Sequence, residues 1–367
     1  MNRKIKVLVI DDSAVFREFL ARGLSADPEL QVVARAENPY DAVDKIERFQ
    51  PDVITCDIEM PKMDGIEFVR QLLPQHPVPI IVVSSVGRAV FDALSAGAVD
   101  FVTKPDLVSG DRIEVFMRTL VQKVKEVSRA KVVRAGGSGM GGDERQDCSE
   151  RGIRSDRGAA AAQPLKPLAD MSTVMNSNFN LNLIAIGAST GGTESIYQLL
   201  KQLPPEMPGI VIVQHIPPSF SRLFAERLNA QTQFEVVEGK SGDLVAPGKV
   251  IIAPGDHHMI VKRMGERFKV EVYKGEKVNG HCPSVDVLFE SVAKSCGAQA
   301  LGVILTGMGY DGAKGLLGMR RRGAVTIGQD EASSVVYGMP KAAFEVGAVE
   351  RQLPLSQMPA ALSRMVR

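Results

Sequence analysis

Polar residues follow or close four apolar runs in the first third of the chain. Asp11 and Asp12 follow the first run, Asp57 follows the second, Ser84 closes the third and Lys104 follows the fourth. If these runs are parallel strands of one sheet, their carboxyl ends lie side by side, which is where open α/β sheets place their ligands. The sequence therefore predicts a pocket of carboxylates with one lysine.

Such a pocket favours phosphoryl transfer. Three carboxylates a few ångströms apart repel one another, and they stay ionised together when a hard cation such as Mg²⁺ lies among them. Asp57 is then our candidate nucleophile, because aspartyl phosphates are a known covalent form and the metal would offset charge on an incoming phosphoryl group. Lys104 would hold a phosphoryl oxygen, and the Ser84 hydroxyl would donate a second bond. This chemistry predicts a phosphorylation switch.

Residues 4–127 resemble a response-regulator receiver domain. The resemblance implies that Asp57 is the phosphoacceptor and that the switch residues are Ser84, Phe101 and Lys104. It implies Mg²⁺ binding by Asp12, Asp57 and the backbone carbonyl of Glu59, with Asp11 helping through water. Helix capping is the alternative role for aspartates at strand ends. It explains single aspartates, but not the Asp11–Asp12 pair together with Asp57 and Lys104.

Length and composition are those of an ordinary soluble protein. A chain of 367 residues is too long for one core, so two domains and a linker are expected. The net charge of +1 gives no electrostatic basis for binding nucleic acid or anionic lipid. The chain begins without an apolar signal region, and no apolar stretch approaches the roughly 20 residues of a spanning helix. We expect a cytoplasmic protein without membrane insertion.

The composition changes after Arg129. From there to Asn178, glycine, alanine and charged residues replace hydrophobic periodicity, so the segment cannot bury enough surface to offset its ordering entropy. The sequence predicts a receiver at residues 1–128, a flexible linker at 129–178 and a second domain at 179–367. The expected fold class is α/β, with a flavodoxin-like receiver and a Rossmann-like second domain, each a doubly wound parallel sheet.

The second domain opens with a glycine-rich turn after an apolar run. Gly187, Gly191 and Gly192 surround Ser189, which allows a tight turn and close approach of a substrate carbonyl. The stretch that follows has helical character, placing backbone N–H groups near the serine. These features suit an activated serine beside an oxyanion hole. Glycine-rich strand-to-helix turns also bind phosphate or nucleotide, so the motif alone leaves both interpretations open.

Two further residues decide between these interpretations. His215 ends one apolar run, and Asp311 follows another in a second glycine-rich turn, so both are predicted to meet Ser189 at one sheet edge. Ser189 would attack an acyl carbon, His215 would move the proton, and Asp311 would orient the imidazole and stabilise its charged form. The order Ser, His, Asp differs from that of α/β-hydrolases and favours a doubly wound sheet.

These motifs resemble the catalytic domain of the chemotaxis protein-glutamate methylesterases. The match extends from about residue 181 to the end and includes Gly187-Ala188-Ser189-Thr190-Gly191-Gly192, Gln214-His215-Ile216-Pro217, Pro283-Ser284-Val285-Asp286 and Thr306-Gly307-Met308-Gly309-Tyr310-Asp311. The resemblance implies hydrolysis of glutamate γ-methyl esters on chemoreceptors with release of methanol, and deamidation of receptor glutamines. It also implies activation when a chemotaxis histidine kinase phosphorylates Asp57. No cofactor is expected in the catalytic domain.

Some residues around this centre have simpler roles in our interpretation. Thr190 and Met308 are expected to be supporting groups. For Met308 two roles are open, an N–H that faces the oxyanion or a thioether that only fills space. Asp286 is expected to cap a helix, and His257, His258 and His281 to be surface or supporting residues. A structural role for His215 near a proline turn remains an alternative to catalysis.

The cysteines indicate reduced thiols. Cys56, Cys148, Cys282 and Cys296 form no C-x-x-C pair, which argues against a zinc site or a disulfide framework. Cys282 stands where the resembling family commonly has arginine, so any substrate contact by that side chain is in question.

The sequence is compatible with two rival functions. A receiver controlling transcription is one, although the second half shows no basic recognition helix. Hydrolysis of small esters or peptides by the same three residues is the other.

Overall fold

The computed structural model describes residues 3–85, 87–105, 110–130 and 181–366. Most of the predicted linker, residues 131–178, lies outside the described residues. The domain boundaries at residues 128 and 178 therefore stay predictions.

The first unit is a five-stranded parallel sheet in the order β2-β1-β3-β4-β5, the flavodoxin-like order. Its strands are β1 (Ile5–Ile10), β2 (Leu30–Ala36), β3 (Val53–Cys56), β4 (Ile80–Ser84) and β5 (Asp100–Thr103). Its helices are α1 (Ala14–Ser25), α2 (Pro39–Phe49), α3 (Gly65–Leu72), α4 (Gly87–Ser95) and α5 (Gly110–Val127). Residues of β3 and β4 are buried throughout because helices cover both faces, as continuous apolar strands predict.

Side-chain caps begin three of these helices. Ser13, Asn38 and Asp64 each accept a hydrogen bond from a backbone N–H of the first turn. These bonds satisfy donors that have no partner within the helix. The caps fix where each helix starts relative to the carboxyl end of the preceding strand, and so where the acidic residues lie.

The second unit contains a seven-stranded parallel sheet in the order β15-β14-β13-β6-β7-β10-β8. Its strands are β6 (Leu183–Ala188), β7 (Gly209–Gln214), β8 (Glu235–Glu238), β10 (Lys249–Ile252), β13 (Ala300–Ile304), β14 (Val325–Gln329) and β15 (Arg351–Leu353). Its helices are α6 (Gly192–Gln202), α7 (Pro218–Gln231), α8 (Val285–Ser295), α9 (Ala313–Arg321), α10 (Met339–Glu345) and α11 (Met358–Val366). The predicted α/β class with two parallel-sheet domains is confirmed.

A second sheet in this unit was not anticipated from the sequence. It is antiparallel, in the order β11-β12-β9, with β9 (Leu244–Val245), β11 (His258–Met264) and β12 (Arg267–Tyr273). Its buried face packs on α8, where Ser291 and Ser295 bond both backbone groups of Val261. The sheet thereby anchors the loop of residues 274–284, which leads into α8.

The two units pack through α4, β5 and α5 of the first and α6 and α7 of the second. Phe91, Phe101, Phe220 and Phe224 form a phenylalanine cluster across this boundary, with the Phe101 and Phe220 ring centroids 4.6 Å apart. Arg227 donates to Ser95 at 2.5 Å on the rim of the cluster. Among the described helices, none is long and apolar enough to cross a membrane.

The Ser189 turn requires glycine at position 191. Gly191 has φ +76°, and an added Cβ would lie 2.7 Å from the Val335 Cβ. Gly242 has φ +100° and open space around it. We expect Gly191→Ala to lower the free energy of unfolding by about 2–4 kcal/mol, and the control Gly242→Ala, which adds backbone strain alone, by about 1–2 kcal/mol. Urea denaturation checks this, and equal losses would show that the contact with Val335 costs nothing.

Candidate active site

Three neighbouring strands bring the candidate serine, histidine and aspartate together. Ser189 follows β6, His215 follows β7, and Asp311 lies in the loop after β13, and these strands are adjacent in the sheet. The His215 backbone N–H donates to the carbonyl of Ala188 at 3.1 Å, so the backbones of His215 and Ser189 lie side by side. Its Nε2 lies 2.9 Å from Asp311 Oδ2. The three residues thus follow three adjacent strands at one edge of the sheet, and their catalytic roles stay predictions.

Asp311 is a buried carboxylate surrounded by donors. Its Oδ2 accepts from the Val285 N–H at 2.7 Å, and its Oδ1 accepts from Ser284 Oγ and Asn279 Nδ2, both at 2.8 Å. Burial alone would raise the pKa of Asp311, but the hydrogen bonds from His215, Asn279 and Val285 together outweigh it and lower the pKa well below its usual range. Asp311 therefore stays ionised in a site that excludes water.

The backbone around Ser189 is fixed on both sides. Its N–H donates to the carbonyl of Thr306 at 3.0 Å, and its carbonyl accepts from Gln214 Nε2 at 2.9 Å. Gly307 packs against it so closely that an added Cβ would lie 2.7 Å from the Ser189 Cβ. The strands that carry the histidine and the aspartate thus hold the serine turn directly.

Thr190 and Met308 lie on either side of this turn. Met308 follows Gly307, whose position against Ser189 brings the Met308 backbone to the serine. Neither the Thr190 N–H nor the Met308 N–H donates to a backbone carbonyl of a described residue, whereas the Ser189 N–H is taken by Thr306. Two backbone donors are thus available beside the serine.

One ring nitrogen of His215 has no partner. Nδ1 is buried and makes no hydrogen bond to a described residue, while Nε2 faces Asp311. A buried polar atom left without a partner costs free energy, so it marks a place where a bond is expected to form in another state. The His215 ring is therefore hydrogen-bonded at Nε2, whereas Nδ1 is available to accept a proton.

His281 stacks on His215, a contact that the sequence did not indicate. The ring centroids are 3.7 Å apart and the rings are nearly parallel at 7°. Burial, followed by the charge of His215, lowers the pKa of His281 to about 4. His281 is therefore a neutral ring against the face of His215. His258 has a supporting place, since its ring joins the Glu276 carbonyl to the Ser284 N–H.

The prediction that Asp286 caps α8 is wrong. The cap is Ser284, whose side chain accepts from the Val287 N–H, and Asp286 lies in the first turn with its Oδ1 accepting from Gly315 at 2.7 Å. Ser284 is a short hydroxyl residue and suits the position equally well. Asn279, which bonds both Asp286 and Asp311, was missed because its distance from them in sequence gives no signal.

The acidic pocket of the first unit has the expected composition. Asp11, Asp12 and Asp57 each place a carboxylate oxygen within 4.8 Å of the others. Lys104 Nζ lies 2.6 Å from Asp57 Oδ2 and 2.8 Å from Asp11 Oδ2. Burial raises the pKa of Asp11 despite the lysine. The charge of one lysine does not offset three carboxylates, and their hard oxygen ligands fit Mg²⁺.

The switch candidates surround this pocket. Ser84 ends β4 and is fully buried, and its carbonyl accepts from the Lys104 N–H at 3.1 Å. Phe101 lies in the neighbouring strand and faces the phenylalanine cluster. Glu59 follows Asp57 by two residues, and its N–H points at Asp57 Oδ1 at 3.4 Å. One side of the pocket is therefore in contact with the second unit.

The end of helix α5 of the first unit lies beside the serine turn. The carboxyl of Glu126 hydrogen-bonds the Thr190 side chain, and burial raises the pKa of Glu126 despite the bond from Gln122. Val335 of the second unit packs against the core of the first. Arg129 and Met308 both line a cavity of about 540 Å³. The end of α5 therefore lies against the candidate oxyanion region.

Fold and site together define a response regulator whose output domain is an α/β enzyme. Residues 184–362 match the family model for the CheB methylesterase, and residues 7–110 match the response regulator receiver domain. A protein-glutamate methylesterase/protein-glutamine glutaminase of Syntrophomonas wolfei is 49% identical over 99% of this chain and 98% of its own length.

A relative of the same description from Sulfurimonas denitrificans is 45% identical over 96% of both chains. The Thermotoga maritima CheB methylesterase catalytic domain has a crystal structure similar to 51% of this chain and 99% of its own, with 36% identity and a TM-score of 0.50. The chain belongs to the protein-glutamate methylesterase/protein-glutamine glutaminase family, in which a receiver precedes the methylesterase domain. The predicted family and enzyme class are confirmed.

Neutral His281 makes stability depend on pH. Its pKa is about 4 in the folded protein and 6.5 when unfolded, so the unfolded chain binds the extra proton between these values. Stability is complete above pH 6.5 and falls by up to about 3 kcal/mol as the pH drops towards 4. We expect His281→Gln to flatten this part of the curve in urea denaturation. The control His76→Gln, in a receiver loop, should leave the slope unchanged, and an unaltered slope in His281→Gln would contradict the assignment.

Proposed function

We propose that this protein hydrolyses glutamate γ-methyl esters on chemoreceptors, and deamidates receptor glutamines, through an acyl-enzyme on Ser189. The observation that carries the proposal is the His215–Asp311 pair, whose side chains meet at 2.9 Å from the ends of the two strands that flank the strand leading to Ser189. Methylated receptors are the substrate implied by the family. Both reactions begin with attack on the same kind of carbonyl carbon, which explains how one centre serves both.

Proton transfer runs through the open side of His215. Nδ1, unpartnered in this structure, accepts the Ser189 hydroxyl proton as Oγ bonds to the acyl carbon, and returns it to methanol or ammonia as that group leaves. Water then repeats the sequence and releases the glutamate carboxylate. Ionised Asp311 holds the ring through Nε2 and stabilises its positive form throughout.

The Thr190 and Met308 N–H groups stabilise the oxyanion. Neither N–H donates to a backbone carbonyl of a described residue, whereas the Ser189 N–H is held by Thr306. Donors fixed in advance stabilise the charge of the tetrahedral intermediate without reorganisation. The Thr190 side chain also hydrogen-bonds Glu126 of the receiver. The receiver therefore occupies the space beside the oxyanion donors that a substrate needs.

The receiver controls access to this centre. Asp57 accepts a phosphoryl group from a chemotaxis histidine kinase, and Lys104 and Ser84 hold its oxygens. Asp12, Asp57 and the Glu59 carbonyl would hold Mg²⁺, with Asp11 helping through water. Bound Mg²⁺ would offset the charge of the transferred group. Before phosphorylation Lys104 pairs with Asp57, and Phe101 packs on Phe220. A phosphoryl group on Asp57 competes for Lys104. The resulting movement of Lys104 and Phe101 weakens the contact between α5 and the serine turn.

The nucleophile is tested by Ser189→Ala. Methanol release from methylated receptor membranes should fall at least about 10³-fold, because the remaining groups cannot form the acyl-enzyme. Phosphorylation of Asp57 should be unaffected, which shows that the receiver is folded, and an unchanged urea denaturation curve shows the same for the second unit. Retained methanol release would mean another nucleophile. Cleavage of a small ester by the unsubstituted protein, with receptor left untouched, would end the receptor assignment.

The inhibitory contact is tested by Glu126→Ala. Removing one hydrogen bond worth about 0.5–1.5 kcal/mol from the closed state should raise methanol release without phosphodonor about two- to tenfold. The matched control is Glu114→Ala, which removes an exposed carboxylate of the same helix. Asp57→Asn should abolish stimulation by phosphodonor and Mg²⁺ in both variants. Equal rates for Glu126→Ala and Glu114→Ala would remove Glu126 from the inhibitory surface.

A further inference from the structure

Asn279 joins two buried acids beside the serine centre. It lies in the loop of residues 274–284 between β12 and α8, and its Nδ2 donates to Asp311 Oδ1 and to Asp286 Oδ2, each at 2.8 Å. Asp311 and Asp286 are 2% and 6% exposed, so the carboxamide separates two carboxylates that water does not screen. Both partners are oxygens that accept, which fixes the amide orientation with the nitrogen towards them.

We propose that Asn279 is a positioning residue for the reaction. It holds the Asp311 carboxylate so that Oδ2 faces His215. It also holds the Asp286 carboxylate, so that Asp286 does not replace Asp311 as the acceptor of the His215 bond. The inference rests on the proposed function of Ser189, His215 and Asp311. It assigns to the loop before α8 a part in organising the centre, besides any contact of that loop with substrate.

Only asparagine satisfies both the backbone and the side chain at this position. The backbone of Asn279 has φ +53°, in the left-handed region where asparagine is among the few side chains that occur readily. Two N–H donors on one short neutral side chain are needed to reach both acids. Serine offers one donor, aspartate adds charge, and glycine keeps the backbone but leaves both carboxylates without this partner.

The loop is held firmly enough for such a role. Val278 and His281 exchange two backbone hydrogen bonds, at 3.0 Å and 2.9 Å, across Asn279 and Gly280. His281, at the end of this small turn, stacks on His215. One turn thus contacts the candidate histidine through a ring and the candidate aspartate through an amide.

The glycine and aspartate variants separate positioning from folding. The full chain is assayed with methylated receptor membranes, saturating phosphodonor and Mg²⁺. Asn279→Gly should lower kcat about ten- to hundredfold with little change in KM, the loss expected for one hydrogen bond to a charged group. Asn279→Asp should lower kcat and move the acid limb of kcat/KM to higher pH by about one unit, because an added anion stabilises the charged form of His215.

Rescue and control variants complete the experiment. Adding Asp286→Asn to Asn279→Asp restores the charge of the cluster and should return the acid limb towards its original place. Asn229→Ala, which removes the bond to the Val236 N–H far from the serine, should cost stability without moving the pH profile. The inference is overturned if Asn279→Asp leaves the acid limb in place and loses activity only in proportion to stability.

The outcome is separable from that of the proposed function. If Ser189→Ala retains activity, the centre itself is misassigned. If Ser189→Ala is inactive while both Asn279 variants keep the original kcat and pH profile, the centre stands and Asn279 has no positioning role.

Discussion

A single buried carboxylate organises the enzyme unit. Asp311 is 2% exposed and ionised, which would be costly if it were unpaired. Five donors surround it: His215, Asn279, Ser284 and the N–H groups of Val285 and Asp286. The last two belong to the start of α8, where the helix dipole also favours a negative charge. The Asp311 carboxylate therefore holds α8, the loop of residues 274–284 and the His215 imidazole in fixed positions.

This arrangement explains the second, antiparallel sheet. The parallel sheet alone brings Ser189, His215 and the Asp311 turn to one edge. It does not supply hydrogen-bond donors for Asp311 Oδ1, the oxygen that faces away from His215. Those come from the loop and helix that β11 and β12 anchor, with Val261 bonded to α8 on its far side. The insertion between β10 and α8 thus completes the surroundings of the aspartate.

The parts that the sequence predicted are those that local patterns determine. Apolar runs ending in Asp11, Asp57, Ser189 or His215 marked strand ends, and both parallel sheets follow from them. The antiparallel sheet, the His281 stack and the Asn279 bridge depend on which loops meet in space, and single residues in loops leave no periodic signal. Asp286 was misjudged because two residues near the helix start have capping side chains, and only the backbone geometry distinguishes them.

The contact between the units has two parts that must change together if phosphorylation is to release the enzyme. Taking a population from 1% to 99% open requires about 5.5 kcal/mol of differential free energy. An aromatic pair such as Phe101–Phe220 contributes about 0.5–1.5 kcal/mol beyond its buried area, and the Glu126–Thr190 bond contributes a similar amount. Together these two contacts supply at most about 3 kcal/mol, so the apolar area buried between the units must also be exposed to reach the required total. Phe101 is in the strand that leads to Lys104, and Lys123 of α5 lies 6.0 Å from the Phe101 ring. A movement of Lys104 therefore affects both the Phe101–Phe220 pair and the Glu126–Thr190 bond. Separation of the units as a whole, rather than movement of one side chain, is the response that this geometry favours.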